Sequence, residues 1–198
     1  MLLVGITGGI GSGKTTVCKI FEVLGIPVYY ADDRAKYLMH HNLELVAALK
    51  EAFGEEIYQN GMLDRALLSS KVFNNTGLLE KLNSLVHPAV AEDSINWQME
   101  HLDAPYTMRE AALLFEAGSY KALNKIVVVT APKDVRIARV MARDAITTEQ
   151  VEARINNQWP EEEKVSLADY VIFNDGVQEI IPQILAVHAE LMELAVRG

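Results

Sequence analysis

The segment Gly8-Gly9-Ile10-Gly11-Ser12-Gly13-Lys14-Thr15 limits what this chain can be more than any other part of it. A short apolar run, Leu2 to Thr7, precedes it, and Val17, Ile20, Phe21 and Leu24 follow it at helical spacing. The run reads as a buried parallel strand, because such strands are apolar on both faces. The spaced residues read as an amphipathic helix that ends near Gly25, a residue suited to a helix C-cap. Pro27 to Tyr30 reads as a second strand, which completes a βαβ unit. Glycines between strand and helix permit positive φ, so successive N–H groups turn into one concavity. The helix N-terminus adds the positive end of its dipole. This is the Gly-x4-Gly-Lys-Thr loop that holds the phosphates of ATP or GTP. Gly9, Gly11, Ser12, Gly13, Thr15 and Thr16 supply its wall, Lys14 can reach the β- and γ-phosphates, and the Thr15 hydroxyl is placed to ligate Mg²⁺.

Composition narrows the class further. The chain has 198 residues, 50% of them hydrophobic, with a net charge of -9. That suits a globular domain and argues against gripping nucleic acid, which needs clustered Lys and Arg. Cys18 is the only cysteine, so no intramolecular disulfide or cysteine metal cluster can form, and a reducing, cytoplasmic setting fits. No stretch is long and apolar enough to span a membrane, so no membrane partner is expected. Sequence leaves a monomer and a small homo-oligomer equally open.

The remaining periodicities predict an α/β fold with a parallel sheet flanked by helices. Strands are expected at Tyr106 to Leu114, Lys125 to Thr130 and Tyr170 to Asn174. Helices are expected from Asp134 to Gln158 and from Val177 to Val196. The stretch from Asp32 to about His101 is mostly helical, with a turn at Asn60-Gly61 and Pro88 starting or kinking the later part. One domain is therefore expected, with a core of 1–31, 104–133 and 168–198, a helical lobe of about 32–103, and an Arg-bearing segment of about 134–167.

Several residues carry candidate chemistry. Asp32 follows the second strand, and ligands of parallel α/β sheets sit off the carboxyl ends of strands. A carboxylate there could accept a proton from an attacking hydroxyl, or it could cap the next helix. Arg136, Arg139 and Arg143 share one helical run. Arg139 and Arg143, spaced i, i+4, need an anion between them, whether phosphate or a surface carboxylate such as Asp144. Arg65 could fork onto a phosphorylated acceptor or pair with Asp64. His87 could meet a ligand or serve structure. Glu110 and Glu116 flank the third strand's end, where an acid could support Mg²⁺. Asn174 and Gly176 could meet a nucleotide base or simply turn the chain.

Taken together, the chain resembles the dephospho-CoA kinases. The resemblance rests on Ile6 to Thr15, Ala31-Asp32, Phe53-Gly54, Gly61-x-Leu63-Asp64-Arg65-x-x-Leu68 and Leu85-Val86-His87-Pro88. It continues with Leu113-Leu114-Phe115-Glu116, Arg139-x-x-x-Arg143-Asp144, Arg154-x-x-x-Gln158 and Ala168 to Gly176. The resemblance implies ATP-dependent phosphorylation of the ribose 3′-hydroxyl of dephospho-CoA. It implies Asp32 as general base, Thr7 as a positioning group, a CoA-binding helical lobe, and Arg139 in a lid over the phosphates. Tyr30 and Ala112 depart from the family pattern, which often has Asp and Pro there. A nucleoside monophosphate kinase and a nucleotide-dependent switch protein are the rival readings.

Overall fold

The computed structural model describes residues 1–73 and 75–197. Its elements, in chain order, begin with β1 (Leu2–Thr7), α1 (Lys14–Val23), β2 (Val28–Tyr30), α2 (Ala31–His41) and α3 (Leu43–Phe53). A short hairpin of β3 (Tyr58–Gln59) and β4 (Met62–Leu63) follows, then α4 (Arg65–Val72) and α5 (Thr76–Met99). The chain closes with β5 (Tyr106–Glu110), β6 (Lys125–Thr130), α6 (Lys133–Asp144), α7 (Thr148–Asn156), α8 (Glu161–Ser166), β7 (Tyr170–Phe173) and α9 (Ile180–Arg197).

Five strands form one sheet in the order β2-β5-β1-β6-β7. Every neighbouring pair is parallel, as apolar runs joined by helices require. β1 is central, so Val4 and Ile6 are fully buried. The core joins them to Val127, Val129 and Ile172 from the sheet, Val17 and Phe21 from α1, and Ile184 and Leu191 from α9. The chain divides into two compact units, residues 1–30 with 101–198 and residues 31–100.

The second unit is a set of helices closed by its own polar contacts. Asn42, Asp64 and Asn75 cap α3, α4 and α5 by accepting from Leu45, Leu67 and Leu78 N–H at 3.0, 2.9 and 3.0 Å. Arg34 of α2 grips Asp93 of α5 through two N–H groups, a geometry that only the planar guanidinium fork provides. The turn at Asn60-Gly61 joins two strands that periodicity missed, because two-residue strands carry no pattern. His40 Nδ1 accepts from the Leu63 N–H at 3.4 Å, and burial followed by Arg65 and His41 pushes its pKa down. α5 runs unbroken through Pro88, with Val86 and Val90 buried on either side.

Two expectations need correction in the first unit. β5 ends at Glu110, not Leu114. Ala112 to Ala117 form a turn, and Leu114 and Phe115 are apolar because the turn itself is buried. The helix expected over 134–158 is two helices. Ala145 adopts φ 53, a left-handed stop, and Thr147 with Gln150 forms a capping box that starts α7.

His188 of α9 lies under the sheet, its Nδ1 2.7 Å from the Tyr106 hydroxyl and its ring tilted against Phe21. Burial lowers its pKa below the ordinary 6.5. The unfolded chain therefore binds the extra proton, and stability falls as pH drops through 6.5. Urea unfolding at pH 7.5 and 5.5 should show a smaller acid-side loss in His188→Gln than in the parent protein. An equal loss in both would place the acid sensitivity elsewhere.

Candidate active site

The loop of residues 8–13 leaves the carboxyl end of the central strand, where the sheet presents ligand sites. Its shape is set by backbone first. Gly13 is the residue before α1 and holds φ 93, a left-handed value that a Cβ would strain. Its carbonyl accepts from Thr16 N–H at 3.0 Å and so opens the helix. Ser12 N–H donates to the Gly9 carbonyl at 3.1 Å, which folds the loop's tip back on itself. The start of α1 also turns the positive end of the helix dipole toward the loop, which favours an anion there.

Side chains then pin the loop's carbonyls. Lys14 Nζ donates to the Gly8 carbonyl at 2.9 Å. Asn174, just past β7, donates through Nδ2 to the Ser12 carbonyl at 2.8 Å, while its own N–H donates to Thr130 at 2.8 Å. Arg139 of α6 donates from Nη1 to the Asn174 carbonyl at 2.9 Å, with the Gly11 carbonyl 3.5 Å away. Lys14, Arg139 and Asn174 thus meet around one loop. Thr15 and Thr16 are exposed in the first turn of α1. The hydroxyls of Thr7 and Ser12 are buried without a hydrogen-bond partner among the described residues, so both keep donor and acceptor capacity beside the loop.

The other arginines divide. Arg143 is exposed and pairs with Asp144, which also receives Arg154 at 2.7 Å, so a carboxylate rather than a phosphate separates these cations. Hydrogen bonding to Arg143, then to Arg154, holds the Asp144 carboxyl at about 2. Arg136 is 6% exposed and sits against Gly9, with Glu161 Oε2 3.5 Å from its Nη1. Pattern alone gave it no role.

The two glutamates also separate. Glu110 is buried at the end of β5, level with Ile6 of β1 and Tyr30 of β2. Glu116 accepts from the Trp159 N–H at 2.8 Å and faces Lys164 Nζ at 3.0 Å. Burial opposes ionisation of Glu116, yet the Trp159 N–H and Lys164 outweigh it and hold its pKa low. Glu116 therefore anchors α8, and a wholly buried Lys164 is a feature that sequence gave no reason to expect. Gln158 counted toward the resemblance, but its contact was not foreseen. Its Oε1 accepts from the Ile10 N–H at 2.8 Å across 148 positions of sequence, a separation no local pattern reveals.

The candidates in residues 31–100 belong to the second unit. Asp32 is the second residue of α2, inside the helix rather than before it, and is exposed. Its neighbour Asp33 is engaged by Lys36 at 2.6 Å. Arg65 is exposed as the first residue of α4, and Asp64 serves as the cap of that helix. His87 is exposed in mid-α5. Gly176 holds φ 85 in the turn after β7, where Asp175 accepts from Val177 and Gln178 N–H at 2.8 Å.

The family model described as dephospho-CoA kinase matches residues 2–179. The chain is 44% identical to the dephospho-CoA kinase of Salinibacter ruber over 179 residues, covering 89% of this chain and 90% of that one. It is 36% identical to that of Bacteroides fragilis over 190 residues, covering 96% and 93%. Among solved structures, TT1252 from Thermus thermophilus aligns with a TM-score of 0.86 at 39% identity, covering 96% of this chain and 97% of that one. Dephospho-CoA kinase from Campylobacter jejuni aligns at 0.69 and 29% identity with the same coverage. A phosphate loop on the central strand, pinned by Lys14, Arg139 and Asn174, and a family match over nearly the whole length agree: the chain belongs to the dephospho-CoA kinase family.

Proposed function

We propose that this protein transfers the γ-phosphoryl group of ATP to the ribose 3′-hydroxyl of dephospho-CoA, giving coenzyme A and ADP. The observation that carries the reading is the pinned loop of residues 8–13 in a chain matched to this family over residues 2–179.

The loop amides and the start of α1 would take the β- and γ-phosphates. Lys14 would exchange the Gly8 carbonyl for phosphate oxygens, a charge-assisted contact in place of a neutral one. The loop fits a Mg²⁺–nucleotide, because Thr15 offers an exposed hydroxyl in the first turn of α1 and the unpartnered hydroxyls of Thr7 and Ser12 lie alongside. Among the described residues no three His, Cys, Asp or Glu side chains gather as a ready metal cluster. The ion would then rest on Thr15 and the phosphates, the usual way Mg²⁺ is held with nucleotides, and would neutralise charge between them. Arg139 would turn from the Asn174 carbonyl toward the transferring phosphoryl group. Asn174 and Gly176 would line the adenine.

On the acceptor side, Asp32 would orient the 3′-hydroxyl and take its proton as the oxygen bonds to phosphorus and the bond to ADP breaks. Support comes from the chain path: β2 ends at Tyr30, level with Glu110 and Ile6, and Asp32 follows two residues later. Thr7 would position the reacting oxygens. Arg65 and His87, both exposed, would hold polar groups of dephospho-CoA in a lobe of residues about 32–103. Residues about 134–167 would act as a lid that excludes water and limits wasteful hydrolysis. A cytoplasmic setting fits a chain whose only cysteine is buried and free.

Asp32→Asn should lower kcat by about 10²- to 10³-fold with little change in KM for ATP, the scale of a positioned base. Steady-state kinetics with dephospho-CoA decide it, and a near-parental rate would remove Asp32 from this role. Arg139→Lys should lower kcat by about 10³-fold, since an ammonium cannot reproduce the guanidinium's fork. An acceptor panel tests the reaction itself: phosphate transfer to a nucleoside monophosphate, with none to dephospho-CoA, would overturn it.

A further inference from the structure

The outer side of the phosphate loop is covered, and its covering comes from beyond α7. The Ile10 N–H donates to Gln158 Oε1 at 2.8 Å, and Gln158 Nε2 donates to the Ala112 carbonyl at 3.3 Å. Next to this bridge, a Cβ on Gly9 would fall 2.1 Å from Arg136 Nη1 and 2.6 Å from Glu161 Oε2. The neighbouring Trp159 is fixed too, by its N–H to Glu116 and by its ring stacked on Phe115 with centroids 6.0 Å apart. Gln158 therefore stands on a rigid base.

The bond partners of one peptide unit give this bridge its meaning. The Gly9 carbonyl and the Ile10 N–H belong to the same planar group. The carbonyl accepts from Ser12 N–H and the N–H donates to Gln158, so both ends of that plane are fixed. Gly9 borders it on one side, and a glycine permits wide rotation. Without Gln158 the plane is held at one end only. A turned plane re-aims the amides of Gly11 to Gly13 that follow it.

We propose that Gln158 is a positioning residue for phosphoryl transfer: it locks the Gly9–Ile10 peptide and so keeps the loop amides aimed at the nucleotide phosphates without touching the nucleotide. The proposal rests on the reading of this loop as the ATP cradle.

Three full-length variants test it: Gln158→Met, close in length but without the amide; Gln158→Glu, which keeps an acceptor for the Ile10 N–H; and Lys14→Ala as a control. ADP affinity by calorimetry and KM values for both substrates are the readouts. Gln158→Met should weaken ADP about tenfold, the scale of one hydrogen bond. KM for ATP should rise in step while KM for dephospho-CoA stays within about twofold. Gln158→Glu should recover most of the ADP affinity. Parental ADP affinity in Gln158→Met, with Lys14→Ala weakened, would overturn the role of Gln158 and leave the cradle intact. Parental affinity in both would overturn the cradle itself. Loss in Gln158→Met without recovery in Gln158→Glu would also overturn the proposal, because packing alone would then explain it. Gln158→Ala takes the place of Gln158→Met if the thioether variant does not fold.

Discussion

A loop can aim its N–H groups inward only if its carbonyls and its outer face are held from behind. That constraint organises the larger unit of this protein. β1 and α1 fix the loop's two ends, and Asn174 reaches it from beyond β7. Arg139 reaches it from α6, and Gln158 from the end of α7. The holding residues come from distant parts of the sequence, and the parallel sheet brings them to one edge. The order β2-β5-β1-β6-β7 does this by placing β1 in the middle, with β6 beside it and β7 one strand further.

The pinned state also shows how cations wait beside the site. Lys14 rests on the Gly8 carbonyl and Arg139 on the Asn174 carbonyl. Both carbonyls are neutral acceptors, so each contact is weaker than one with phosphate. The side chains are therefore preplaced yet exchangeable, which reduces the ordering that a nucleotide must bring about. Arg143 behaves differently. Its partner Asp144 is a carboxylate shared with Arg154, and exchange there would break an ion pair rather than a contact with a neutral carbonyl.

Much of this was legible in the residues. The Gly-x4-Gly-Lys-Thr spacing between an apolar strand and a helix fixed the loop, and both periodicities are local. The caps at Asp64 and Asn75 and the two-residue hairpin are local too, but too short or too common to stand out. The strand expected to reach Leu114 stopped at Glu110, because burial of a turn and burial of a strand demand the same apolar residues. The helix over 134–158 was split by Ala145, whose left-handed φ no propensity suggests. Long-range pairs were out of reach. Nothing near Ile10 announces Gln158, and nothing near Glu116 announces a lysine 48 positions on with no exposed surface. Asp32, Arg65 and His87 were read from position and resemblance, and the roles proposed for them rest on those grounds alone.

The ion pairs of α8 have a thermal consequence. Glu161 faces Arg136 and Lys164 faces Glu116 in a nearly dry environment. Such pairs are poorly screened, so ionic strength barely loosens them. Their main cost is lost hydration, and that cost shrinks as temperature rises. The seat that carries Gln158 against the phosphate loop therefore holds its grip on warming better than a surface salt bridge would.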